Sequence, residues 1–349
     1  MTIKWGVIGA GGIARRRTIP EVIQYAQNSV IKAVMDPNPQ SLAEIQKEFN
    51  LEAAFTTLEE ILKEDLDAVY IASPVFAHFE QAVQSLQAGK NVLCEKPLSL
   101  SIREGEEMAE IAEKKKLKLG IAFMMRFNVY HQKIKTLIDD HQLGKIVAAR
   151  AQLTCWYPPI QNAWRQIPQL SGGGALADMG CHCLDLLEYF LGNITATVGF
   201  LDTTVHPYQV EDTANVILKF ESEAQAMVDN YFNVPDKAAN NLLEIYGTKG
   251  AILTKNTIGQ DPGGTMWLYQ EKEEKNYDAQ QSRKKISYQL VELKPSPLYA
   301  QEIDAFSQWI STGVKPKPDL SAAIGIRNLK VLDSIYRSAK EKKVVEVTK

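Results

Sequence analysis

The stretch IKWGVIGAGGIA, residues 3–14, decides how the chain is read. Its first seven residues are mostly apolar and suit a buried strand, and residues 12–26 have helical character. Between them lie Gly9, Gly11 and Gly12, so strand, turn and helix carry the pattern G-x-G-x-x-A. Gly9 permits the tight turn, Gly11 lets a pyrophosphate approach the backbone, and Ala14 is small enough for close helix–strand packing. Gly12 and Ile13 complete the turn, where free N–H groups and the positive end of the helix dipole would meet phosphate. A second strand, VIKAVMD over 30–36, ends on Asp36, placed to accept hydrogen bonds from an adenosine ribose. The Asp36 charge would repel a 2′-phosphate and favours NAD; Arg15, Arg16 and Arg17 leave NADP open.

The rhythm of the first third continues outward from this unit. Strands over 67–73, 91–97 and 118–124 alternate with helices over 40–49, 58–64, 77–88 and 101–115. Such alternation predicts a doubly wound parallel sheet. After about residue 125 the pattern changes. A helix over 129–140 leads into the extended segment KIVAARAQLTCWY (145–157), then a helix over 175–191. Strands are expected over 195–205, 213–220, 224–233, 241–247, 265–270 and 284–293, joined by turn residues, with closing helices over 298–311 and 320–340. The expected architecture is an α/β Rossmann domain, residues 1–125, followed by an α+β domain, residues 126–349, with a large, mostly antiparallel open sheet.

Charge and composition narrow the function classes. The 349 residues carry a formal net charge of -3, so no basic field recruits nucleic acid or an anionic membrane. No charged n-region with an apolar core opens the chain, and no apolar run is long enough to span a bilayer. Cys94, Cys155, Cys181 and Cys183 do not form a disulfide framework. A reducing cytoplasm is the expected compartment.

Two further segments carry chemistry. Cys94-Glu95-Lys96-Pro97 closes a predicted strand, at the sheet end where ligands of open α/β sheets bind. A lysine there could stabilise negative charge on a substrate oxygen, and burial would lower its pKa. The second segment is GGGALADMGCHCLD, residues 172–185. Asp178, His182 and Asp185 are spaced to share one helix face. The histidine could shuttle a proton while the carboxylates orient it or the substrate, and the glycine run would let the chain pass close to a cofactor. Cys181, His182 and Cys183 are consecutive and point about 100° apart on a helix, so they do not converge on one metal ion.

With these residues in view, the chain resembles the Gfo/Idh/MocA oxidoreductases over essentially its whole length. The marks are GAGGIA (9–14), Asp36, IASPVFAH (71–78), AGKNVLCEKPLS (88–99), Arg126-Phe127-Asn128, Trp164-Arg165, the 172–185 helix and YGTKGAI (246–252). The resemblance implies that Lys96 and His182 are catalytic and that Asp178 binds substrate beside them. It implies that Glu95 and Pro97 flank the nicotinamide and that Ser73, Pro74 and His78 form a cofactor-side loop. Arg126, Trp164 and Arg165 match positions near the cofactor or the mouth of the site, and Asn128 matches a substrate-side position. An open second-domain sheet used for dimers or tetramers is implied as well.

The expected activity is hydride transfer between a nicotinamide and a secondary alcohol or ketone of a sugar, sugar derivative or cyclitol. His182 would take the hydroxyl proton and Lys96 would polarise the oxygen. Rival readings are a glycosidase with tightly bound NAD, a non-catalytic sensor of NAD and sugar, and action on an amino acid or bile pigment. Trp156, Tyr157 and Trp164 ahead of the glycine run favour a polyol, because aromatic rings stack on a sugar face.

Overall fold

A computed structural model describes residues 1–271, 279 and 287–348. Six parallel strands form the first sheet: β1 (Ile3–Ile8), β2 (Ser29–Met35), β3 (Ala53–Phe55), β4 (Ala68–Ile71), β5 (Asn91–Glu95) and β6 (Leu119–Ala122). Their order is β3-β2-β1-β4-β5-β6. The order reverses between β1 and β4, and ligands of such sheets bind outside the strand ends at that point. The connecting helices are α1 (Ile19–Tyr25), α2 (Pro39–Phe49), α3 (Leu58–Leu62), α4 (His78–Gln87) and α5 (Ile102–Lys115). Local chemistry fixes their ends. The Asn38 side chain caps α2, and Ser101 with Glu104 forms a capping box on α5.

Past α6 (Val129–Asp139) the chain builds a nine-stranded sheet. Its strands are β7 (Ile146–Thr154), β8 (Ile194–Asp202), β9 (Thr213–Phe220), β10 (Gln225–Tyr231), β11 (Leu243–Gly247), β12 (Gly250–Lys255), β13 (Thr265–Gln270), β14 (Gln289–Val291) and β15 (Val345–Glu346). Every pairing is antiparallel except β7 with β10, which is parallel. A short helix α7 (Pro168–Ser171) precedes α8 (Cys181–Leu191), and α9 (Leu298–Thr312) and α10 (Ala322–Glu341) follow the last long strands. One sheet face packs on α6, α8 and α10 around Leu184, Leu187, Val216, Leu218 and Ile335. The other face carries alternating exposed residues.

Strand β12 has no counterpart among the expected strands. It pairs with β11 through the two-residue turn Thr248-Lys249, which lacks the Asn-Gly or Asp-Gly signature of such hairpins. The strand expected over 284–293 is described only from 287 onward, where β14 lies; residues 284–286 fall outside the described residues.

The last helices return to the first sheet. Trp5 donates from Nε1 to Ser307 Oγ (2.9 Å) and packs against Phe306. Gly120 pairs with Ser321, and a Cβ at Gly120 would overlap the Phe306 ring, which explains a glycine inside a buried strand.

Candidate active site

The glycine turn sits where β1 and β4 diverge. Gly9 has φ +80°, and a Cβ there would press on the Ser73 backbone nitrogen. The Gly9 and Ala10 N–H groups donate to Met35 O, which ties the turn to the end of β2. Asp36 follows at once: Oδ2 accepts from Gly11 N (3.1 Å) and Oδ1 from Asn38 N (3.0 Å). The helix then opens with a wide π-turn, Ala14–Thr18, before α1, and no side chain caps its first N–H groups. At Gly12 a Cβ would meet nothing within 4 Å. An uncapped helix end facing open space beside an acid at the tip of β2 fits a dinucleotide diphosphate and ribose. Arg15 is turned away from this end, bound through Nε to Glu48 (2.8 Å) and through Nη1 to Glu44 (3.0 Å) on α2.

A cavity of about 690 Å³ continues from the turn between the two sheets, reached by Ile13, Ser73, Glu95, Lys96, Asp178 and His182. Lys96, at the end of β5, donates from Nζ to Asp178 O (2.6 Å) and Asp178 Oδ1 (3.0 Å). Its side chain is 15% exposed. Arg165 reaches the same Oδ1 from Nε at 3.4 Å, and its guanidinium lies 4.4 Å from the Trp164 ring centroid. Trp164 in turn meets Phe76 edge-on, so the 164–165 segment closes on the first sheet's side of the cavity. Burial opposes the Asp178 charge, yet Lys96 and then Arg165 outweigh it and hold this carboxylate well below its usual range. His182 is buried against Phe123, and its Nδ1 has no hydrogen-bond partner among the described residues. Burial first, then Lys96, push its pKa well below the ordinary imidazole value, so the ring is neutral.

Buried groups hold these residues in place. Tyr70 Oη donates to Glu95 Oε1 (2.6 Å), and the Lys96 N–H donates to Glu95 Oε2 (3.1 Å). Burial raises the Glu95 pKa, opposed by Lys96. His78 lies between two carbonyl oxygens, Pro97 O and Ser73 O, each 2.9 Å from a ring nitrogen. It therefore joins the Ser73-Pro74 loop to the turn after Lys96. The Lys96–Pro97 peptide is cis.

Several expectations are corrected. Arg126 does not reach the cavity; it is buried and forks onto Asp185 at 2.7–3.1 Å. Asp185 is thereby taken from His182. The pair is desolvated on both sides, and removing one partner would leave a bare buried charge. Asn128 is also buried away from the substrate side. Its Oδ1 caps α6 on Tyr130 N (2.9 Å), and its Nδ2 reaches Thr257 O and Pro262 O (both 3.4 Å). The Lys96 pKa is raised: burial lowers it, but Asp178, Cys181 and Glu95 together prevail. Gly173 and Gly174 pack against protein and do not line the cavity. A Cβ on Gly173 would overlap the Tyr336 hydroxyl, and one on Gly174 the Glu211 carbonyl. Those contacts seat the start of the helix that carries Asp178 and His182, whose first turn, Leu176–Gly180, is a second π-turn. Such turns occur often at functional sites.

Other cavity residues escaped the sequence reading. Tyr299, Asp236, Asn241 and Gln260 line it. Asp236 Oδ1 accepts from Trp156 N (2.8 Å) and Asn241 Oδ1 from Thr154 N (2.9 Å). Residues 154 and 156 are two apart on an extended segment, so both N–H groups point the same way. They leave Asp236 Oδ2 as an acceptor and Asn241 Nδ2 as a donor. Lone polar residues in loops far apart in sequence give no spacing signal.

A parallel sheet ordered 3-2-1-4-5-6, with a glycine turn, a tip acid and a lysine–aspartate–histidine set in one cavity, defines a dinucleotide-binding oxidoreductase. Comparison with known proteins agrees. Residues 3–123 match the oxidoreductase family with an NAD-binding Rossmann fold, and residues 131–253 match the GFO/IDH/MocA C-terminal domain. The chain belongs to the Gfo/Idh/MocA family and is an NAD(P)-dependent oxidoreductase. A trans-1,2-dihydrobenzene-1,2-diol dehydrogenase of Xenopus laevis is 30% identical over 258 residues, 72% of this chain and 75% of the relative. A 1,5-anhydro-D-fructose reductase of Ensifer adhaerens is 29% identical over 268 residues, 76% of this chain and 79% of the relative. A levoglucosan dehydrogenase solved with NADH and levoglucosan shares the fold, with TM-score 0.86, 23% identity and full coverage of both chains.

Proposed function

We propose that the protein oxidises a secondary alcohol, or reduces the matching ketone, on a sugar, sugar derivative or cyclitol, with NAD as its preferred cofactor. The observation that carries this reading is the meeting of Lys96, Asp178 and His182 in the cavity that leads from the glycine turn. The bound dinucleotide supplies the hydride acceptor, or the donor in the reverse direction. The chain does the rest. Neutral His182 takes the hydroxyl proton. The Lys96 ammonium stabilises charge building on the oxygen. Asp178 Oδ1 is taken by two cations, and Oδ2 is left to accept from a neighbouring substrate hydroxyl. The Asp236–Asn241 pair offers one acceptor and one donor further along, which suits a ring bearing several hydroxyls. Relatives named for 1,5-anhydro-D-fructose and a structural neighbour holding levoglucosan support that class.

The NAD preference is supported by Asp36 beside the glycine turn, whose charge would repel a 2′-phosphate, and by Arg15, which is already bound to Glu44 and Glu48. In this reading residues 1–125 serve the cofactor and residues 126–349 the substrate and assembly. The open face of the second sheet presents Phe200, Ile217 and Met227, exposed by 74%, 50% and 52%, and is proposed as a homodimer or homotetramer surface. Among the described residues no helix is long and apolar enough to cross a membrane. The four cysteines stand as free thiols, in keeping with a cytoplasmic enzyme.

The test is absorbance at 340 nm with NAD and NADP separately, over inositols, aldoses and amino sugars. Substrate-dependent reduction of NAD is expected. No signal with any polyol, alongside tight NAD binding, would move the reading to a glycosidase that keeps its cofactor or to a sensor.

A further inference from the structure

Two cavities meet at the start of the helix that follows the glycine turn. One is the large cavity already described. The other, about 510 Å³, is an outer cleft lined by Arg15, Arg17, Pro20, Glu48 and Phe49. Among the described residues only Arg16 and Gln260 line both. They form the wall between the two, and they come from different halves of the chain.

Arg16 lies in the π-turn Ala14–Thr18, close behind the uncapped N–H groups. Unlike Arg15, it has no recorded carboxylate partner among the described residues. Gln260 lies on the loop between β12 and β13. That loop is pinned from below by Asn128, whose Nδ2 reaches Thr257 O and Pro262 O on either side of Gln260. Gly259, beside it, has φ +147°, a conformation open to glycine. The loop thus carries an amide donor across to a helix end that already offers backbone donors and a free guanidinium. A diphosphate needs several donors and a positive charge.

We propose that Arg16 and Gln260 form a two-sided clasp on the cofactor's diphosphate, with Asn128 as the positioning residue that holds the loop in reach. The inference rests on the dinucleotide lying at Gly11–Ile13. It adds that the second half of the chain grips the cofactor away from the reacting end. Diphosphate affinity then depends on a loop that the Rossmann pattern does not contain.

The experiment measures dissociation constants by calorimetry for NADH, ADP-ribose and adenosine with the full chain. Variants are Arg16→Ala, Gln260→Ala, the double variant, and Asn128→Asp. Aspartate keeps the α6 cap but cannot donate to Thr257 O and Pro262 O. Arg16→Ala is expected to weaken NADH and ADP-ribose about tenfold and Gln260→Ala about fivefold, with much less effect on adenosine. Asn128→Asp should match Gln260→Ala on ADP-ribose and add little to it when the two are combined. Wild-type protein that binds no NADH would remove the underlying cofactor reading. Normal NADH binding by wild type and by both alanine variants would overturn the clasp alone. So would an equal loss for adenosine, which carries no phosphate and would place these side chains on the nucleoside instead.

Discussion

Lys96 and Asp178 come from opposite halves of the chain, and the Lys96 ammonium touches two oxygens of the same residue: the Asp178 carbonyl at 2.6 Å and Oδ1 at 3.0 Å. One side-chain cation thus fixes both the backbone of the π-turn and the carboxylate that emerges from it. Lys96→Met should therefore lower turnover by about 10²–10³, the scale of losing one charge-stabilising donor. NADH affinity should fall far less. Steady-state rates and a fluorescence titration of NADH check the split, and near-normal turnover would remove Lys96 from the chemistry.

His182 carries a pH prediction. Its folded pKa lies well below that of a free imidazole, through burial and then Lys96. The neutral base persists as pH falls through the usual range near 6.5, so kcat/KM for oxidation should show no His-type loss there. The linked stability has a matching sign. The unfolded chain takes up this proton first, so the contribution is full above about pH 6.5 and fades as pH falls toward the folded value. An NMR titration of the His182 ring reads the pKa directly, and in Lys96→Met it should move upward because a nearby cation has gone.

Cofactor preference should follow two carboxylate placements. Asp36→Ser should weaken NAD about tenfold, the worth of a charged hydrogen bond to ribose, and narrow the preference over NADP. Adding Glu44→Gln and Glu48→Gln frees Arg15 and should tip the balance further toward NADP. Paired titrations of NADH and NADPH test this. An unchanged ratio in the triple variant would mean that neither group faces the 2′ position.

The glycines ahead of the helix that carries Asp178 make a stability prediction. Gly174→Ala forces a methyl group against the Glu211 carbonyl, and overpacking of this kind costs about 1–3 kcal/mol. A lower midpoint in urea is expected, with a fall in kcat because the helix start carries Asp178.

The open sheet face gives an assembly test. Ile217 and Met227 are direct cross-strand partners on β9 and β10. Changing both to lysine places like charges side by side on the proposed contact. Sedimentation should report monomer for the variant and a dimer or tetramer for the parent. Equal masses for the two would exclude this face.

Much of this was legible because it was local. The first sheet follows from strand–helix alternation, and GAGGIA with Asp36 is read within a single strand–helix–strand unit. The Lys96 and His182 segments were legible as motifs, although their meeting is a tertiary fact. The misreadings had tertiary causes. Arg126 and Asp185 look functional in sequence, and only the fold shows that each neutralises the other in the core. The 172–174 glycines look in sequence like room for a ligand, yet Gly173 and Gly174 make room for Tyr336 and Glu211. Burial alone would have lowered the Lys96 pKa, but three surrounding groups reverse the sign. Asp236, Asn241 and Gln260 lie on loops with no periodicity, so no local pattern marks them.

The return of α9 to the first sheet has a bearing on biosynthesis. Ile303, Phe306, Trp309 and Leu320 complete the core in which Ile3 and Trp5 are buried. A ribosome that has released the six parallel strands has therefore made a layer with one side only partly covered, by Ile19 and Val22 of α1 and Leu42 and Ile45 of α2, and it must add nearly two hundred more residues before the cover is complete. Over that interval the nascent chain presents Trp5 and its neighbours to whatever binds apolar surface. The earliest strand made is among the last to be sealed. Chains cut short before residue 298 should be held by chaperones or lost to aggregation, even with every phosphate-turn residue in place.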